Sequence, residues 1–222
     1  MTTGSHAERW RRRCAPLGFA LVVLAAGCSI TPEKKADAVN DINRQFQEEY
    51  ERILMQKGTR AFNGVTRDEA FRAMRATMLT LGMQILNEDP ALGYLSIRGA
   101  APRPADLEEW RRASETDLPK ARSIIAQHLG WLVAQLFTFD PAGLDIVMNI
   151  TILEVPLGVQ ISLTMRMRET APPKGDLPRR EYAPPTAVSM GLDKIWRQFE
   201  QELRAAPVRR SDAPVAVTAP AA

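Results

Sequence analysis

The chain has 222 residues, 29 of them Lys or Arg and 26 Asp or Glu, and residues 1–27 alone hold four Arg and one Glu. Beyond residue 27 the two signs stand at 25 each, so the formal excess of +3 belongs to the N-terminal segment. Global charge therefore makes no case for a nucleic acid or an anionic surface as partner. The two cysteines are Cys14 and Cys28, so a thiol nucleophile, a redox pair and a Cys-based zinc site are excluded from everything after residue 28.

Arg9, Arg11, Arg12 and Arg13 precede an apolar run from Leu17 to Ala26, which leads into Gly27, Cys28 and Ser29. A basic start, a short apolar core and small residues before a cut site are the pattern of a secretory signal peptide, expected here over 1–27. The run is about half as long as a membrane span requires. Its ending, Leu24-Ala-Ala-Gly-Cys28, resembles the lipobox of bacterial lipoproteins. That resemblance implies cleavage between Gly27 and Cys28 and acylation of Cys28 with palmitate-like chains. Ser29, rather than Asp, after the cysteine implies delivery to the outer membrane, on its periplasmic face. The family's several acyl chains matter physically. One chain holds a protein marginally, whereas two hold it stably, at about 0.8 kcal/mol per buried CH₂.

Residues 28–36 read as a lipidated polar tether. Val39, Ile42, Phe46, Tyr50 and Ile53 follow at steps of three and four, predicting an amphipathic helix over 37–54. It either docks on the domain or stays free for a partner, with Phe46 and Tyr50 as candidate contacts. A short strand fits 58–63. Thr66-Arg-Asp-Glu69 is a capping box. It opens a helix whose buried stripe is Phe71, Met74, Met78 and Leu81 and whose stop is Gly82. The methionines read as core rather than as a ligand feature. Residues 83–88 and 94–98 form a hairpin about Asp89-Pro-Ala-Leu-Gly93. A second Asp-Pro-Ala turn at 140–142 suggests a repeated helix–hairpin unit.

Asp106 to Ala113 and Pro119 to Leu129 read as two helices. Residues 131–139 suit either a helical extension or a strand, and the hairpin parallel favours the strand. Ile146, Met148, Ile150 and Ile152 then alternate with polar neighbours, as do Val159, Ile161, Leu163, Met165 and Met167, with a turn at 155–158. That is an antiparallel pair covered on one side. Five prolines in 171–186 make a long loop. A last helix over 187–205 carries Val188, Leu192, Ile195, Trp196, Phe199 and Leu203 on one face, and the tail 207–222 reads as disordered.

The expected fold is α+β. A mostly antiparallel sheet with helices on one face makes a two-layer single domain over 55–206, preceded by the amphipathic helix. The leader and the order of elements together resemble the helix-grip modules of BamC-like lipoproteins in the outer-membrane β-barrel assembly machinery.

Catalytic signals are sparse. His128 is the only histidine after residue 27 and reads as a hydrogen-bonded structural residue, with no second imidazole or thiolate to complete a metal site. No nucleophile elbow, phosphate loop or dinucleotide fingerprint occurs. Glu88-Asp89, Glu108-Glu109 and Asp140 with Asp145 are carboxylate pairs of the kind glycoside hydrolysis needs. Turn and helix-start roles account for them more simply. Arg179, Arg180 and Tyr182, in the proline-rich loop, are further candidate partner contacts. The function expected is a non-enzymatic accessory or scaffold that binds an envelope protein, without cofactor, metal or nucleic acid. The alternatives are a carrier holding a lipid or small hydrophobic ligand in a helix-grip cavity near Met148, Met165 and Met167, and a cell-wall hydrolase.

Overall fold

Two long strands set the architecture. β4 (Leu144–Val155) and β5 (Gly158–Glu169) pair along their whole length, from Leu144 opposite Glu169 to Val155 opposite Gly158. In the computed structural model, which describes residues 30–170 and 177–205, β3 (Tyr94–Ala100) lines the other side of β4. β2 (Gln84–Asp89) lies beyond β3, and β1 (Thr59–Asn63) pairs with the free side of β5. The order is β1-β5-β4-β3-β2, antiparallel throughout. Ile146, Met148, Ile150, Ile152, Val159, Ile161, Leu163 and Met167 are all buried. The intervening Asp145, Asn149, Thr164, Arg166 and Arg168 lie on the opposite face, a period-two pattern covered on one side.

The covering layer is α1 (Pro32–Lys57), α2 (Arg67–Thr80), α3 (Leu107–Leu129), the short α4 (Trp131–Gln135) and α5 (Pro185–Ala205). The molecule is thus an α+β fold, an open five-stranded sheet with helices packed on it, as the sequence leads one to expect. α2 starts with both bonds of its capping box: the Glu69 amide donates to the Thr66 hydroxyl, and the Thr66 amide to the Glu69 carboxylate. Its Met74 and Met78 are core residues. α5 brings Trp196 and Phe199 against Phe62 of β1, with the Phe62 and Phe199 rings 4.9 Å apart. The hairpin between β2 and β3 needs Gly93. Its φ is +65°, and a Cβ there would stand 2.3 Å from the Ile152 carbonyl oxygen.

Three expectations are corrected. The amphipathic helix begins at Pro32, capped by Thr31, so the tether ends there rather than at 36. Of the two expectations for that helix, docking is the one observed: Ile42, Phe46 and Tyr50 join the same buried cluster as the sheet. Residues 107–129 form one helix, not two. Pro119 and Glu115 are both exposed, so the carbonyl that the proline ring leaves without a donor faces solvent, while buried Ala113 and Ala121 hold the helix on either side. Residues 131–139 are not a strand. β4 already has β3 and β5 as neighbours, so no ladder position is left, and α4 forms instead. The second Asp-Pro-Ala turn therefore does not close a hairpin, and its side-chain bond spans two residues where that of the first spans three. The Asp89 carboxylate accepts from the Leu92 amide and that of Asp140 from the Ala142 amide. The signal peptide and lipobox (1–29), the middle of the proline-rich loop (171–176) and the tail from 206 lie outside the described residues.

Candidate functional site

The five residues marked as partner contacts do not make an exposed site. Phe46 is fully buried and Tyr50 and Tyr182 nearly so. Phe46 stacks on Phe139 at 5.9 Å and meets Tyr182 edge-on at 6.3 Å, and Phe137 closes the cluster 5.2 Å from Phe139. The Tyr50 hydroxyl donates to the Ala183 carbonyl and accepts from the Ala183 amide, both at 2.6 Å. Burial pushes its pKa well up, so it stays a neutral hydrogen-bonding group. Tyr182 is raised to about 12 for the same reason.

The loop at 177–184 is clamped. The Asn43 side chain donates to the Arg179 carbonyl and accepts from the Glu181 amide, at 3.0 and 2.9 Å. The Arg180 guanidinium donates to the Asp140 and Ala142 carbonyls, which ties the loop to the turn before β4. Periodicity on α1 marks Phe46 and Tyr50 as apolar-face residues but not what covers them. The covering atoms come from Phe139 and Ala183, far along the chain.

The carboxylates are similarly occupied. Glu88 pairs with Arg75 at 2.8 Å, and Asp145 with Arg98 on the neighbouring strand. Glu109 accepts from Lys194 at 2.7 Å and from the Asp106 amide at 2.8 Å. The Lys194 bond chiefly holds its carboxyl below the usual range. His128 Nε2 lies 3.2 Å from Asp41 Oδ2, and that bond, more than those from Gln45 and Arg44, depresses the Asp41 carboxyl. Asp117 moves the other way: burial raises it although Thr186 donates to both its oxygens. Among the described residues no three of His, Cys, Asp and Glu converge as metal ligands would.

The space under the sheet is small. A cavity of about 20 Å³ lies among Ile146, Met148, Met165, Met167, Leu192 and Ile195, roughly the room one water needs. An acyl chain fits there only if core side chains move out. Two surfaces among the described residues are of interest. One is the uncovered sheet face, where Tyr94 donates to Asn149 at 2.9 Å and Thr59 and Ser162 pair at 3.1 Å, beside exposed Thr164, Arg166 and Arg168. The other surrounds α4. There Trp131, with Arg122, Ser123 and Gln135, lines a groove of about 340 Å³, and Leu132 and Leu136 stand exposed. The sequence held its signal in the run Trp131-Leu132-Val133, which strand and helix patterns explain equally well.

No helix among the described residues is long and apolar enough to cross a membrane. None of the protein-family models, curated proteins or solved structures compared with the chain matches it.

Proposed function

We propose that the chain is an outer-membrane lipoprotein facing the periplasm, held by acylated Cys28, whose folded body is a non-catalytic accessory that binds another envelope protein. The observation that carries this reading is the ordered leader: Arg9 to Arg13, the Leu17–Ala26 run and Leu24-Ala-Ala-Gly-Cys28. The accessory role is supported by how the polar groups are used. Glu88, Glu109 and Asp145 are each paired with a cation, and the loop at 177–184 is tied down by Asn43 and Tyr50. These groups hold the body together rather than pointing into a cleft. The partner lies across the uncovered sheet face, where Thr, Asn and Arg side chains offer directional hydrogen bonds on a rigid, twisted platform.

Cys28→Ala tests the anchor. The variant is expected to accumulate as an uncleaved precursor in the inner membrane, seen on fractionated gels. A cleaved product of unchanged mobility would overturn the assignment. The partner is tested by crosslinking in intact cells with a photoreactive side chain placed at Thr164. A discrete adduct with one envelope protein is expected, and labelling of lipid alone sinks the accessory reading.

A further inference from the structure

α4 leaves Trp131, Leu132 and Leu136 exposed at 66%, 73% and 82%. Single exposed leucines are ordinary, but large apolar side chains gathered at one end of a molecule mark a contact. What lies opposite that end follows from the helix packing. Glu49 of α1 pairs with Lys120 of α3, and Asp41 with His128. Rising residue numbers on one helix meet falling numbers on the other, so α1 and α3 run antiparallel. The N-terminus of α1 therefore shares an end with the C-terminus of α3 and with α4, which begins directly after it at Trp131.

The chain outside the described residues enters at this same end. Thr31 lies about 15 Å of helix before Asp41, and the three residues from Cys28 to Thr31 reach about 10 Å further at most. We infer that α4 is a membrane-contacting element, with Trp131, Leu132 and Leu136 seated among the headgroups and upper acyl chains of the bilayer that holds Cys28. The inference rests on the lipoprotein reading of Cys28. Tryptophan suits that depth because its ring is apolar while its N–H stays hydrated. Charge contributes little to the contact: Lys34 and Lys35 are offset by Glu33 and Asp37, all four exposed, and a single cation, Arg122, lines the groove beside Trp131. The contact is therefore apolar and tolerates salt.

The protein carries its own reporter. After cleavage at Cys28 three tryptophans remain, and Trp110 and Trp196 are 4% and 0% exposed. Acylated protein purified from cells and reconstituted into phosphatidylethanolamine–phosphatidylglycerol vesicles is the sample. Lipids brominated on their acyl chains are expected to remove most of the Trp131 emission at low and high salt alike, and acrylamide in the water to quench it little. Trp131→Phe should abolish the lipid quenching without altering the circular dichroism. Acylated, vesicle-bound protein whose Trp131 remains open to acrylamide and indifferent to brominated lipid overturns the inference and leaves the anchor standing. Protection of Trp131 without lipid, accompanied by a dimer in sedimentation, also overturns it, because a second copy then covers α4. Protein isolated from cells with no acyl mass overturns the lipoprotein reading itself.

Discussion

Tyr50 shows how one side chain joins distant parts of this chain. Its ring belongs to the apolar face of α1, while its hydroxyl satisfies both backbone groups of Ala183. Tyr50→Phe keeps the packing and leaves a buried N–H and a buried C=O without a partner. Each orphaned group costs about 1–3 kcal/mol. Urea unfolding is expected to show a loss of about 2–6 kcal/mol for the two groups together, and a change below about 0.5 kcal/mol would mean that water replaces the hydroxyl. Side chains that look adhesive in one dimension are here the mortar of the core. Phe46 and Tyr182 share that fate, because aromatic rings bury more area than almost any other group.

Among the elements, α3 and α5 are tied by charge at one end and by a borrowed cap at the other. Asp117 of α3 accepts from the Thr186 amide and hydroxyl in the first turn of α5, filling a role that a local side chain usually fills. At the start of α3, Glu109 serves both the Asp106 amide and Lys194 of α5. Its depressed folded pKa gives the sign of a pH effect. The charged form stabilises the fold above the unfolded value of about 4.3, and that contribution is lost as pH falls through the lower folded value. The stability gap between wild type and Glu109→Gln, measured by urea titration, is therefore expected to be constant above about pH 5 and to shrink below about pH 4. A gap that does not change with pH would mean that Glu109 acts by packing alone. Asp117, raised by burial, carries the opposite sign, favouring the folded state more as it is protonated. The elements most legible in the sequence were those with local punctuation: α2 with its capping box, the Asp89–Gly93 turn, and the alternating β4 and β5. The break expected at Pro119 failed because a proline on a solvent-facing helix surface strands a carbonyl that water can satisfy.

At the level of the whole molecule, α1 decides whether the body is a domain with an appendage or one unit. Ile42, Phe46 and Tyr50 are 1%, 0% and 3% exposed, and truncating buried residues of these sizes costs about 2–5 kcal/mol each. Losing all three approaches the whole stability of a typical domain, about 5–15 kcal/mol. A chain beginning at Gly58 is thus expected to show no cooperative thermal transition by circular dichroism. A sharp transition would show that α1 merely decorates a self-sufficient fold. The sequence alone determined the fold class, the two faces of the sheet and the capped start of α2, because these depend on periodicity and on groups within a turn of one another. It also carried the leader motif on which the proposed anchorage rests. Only the tertiary structure decided that 131–139 is not a strand and that Phe46, Tyr50 and Tyr182 face inward. It likewise decided that α4 shares an end with the start of α1. Each of these depends on which distant segment reaches a ladder edge or a helix face first, and spacing along one chain does not record that competition.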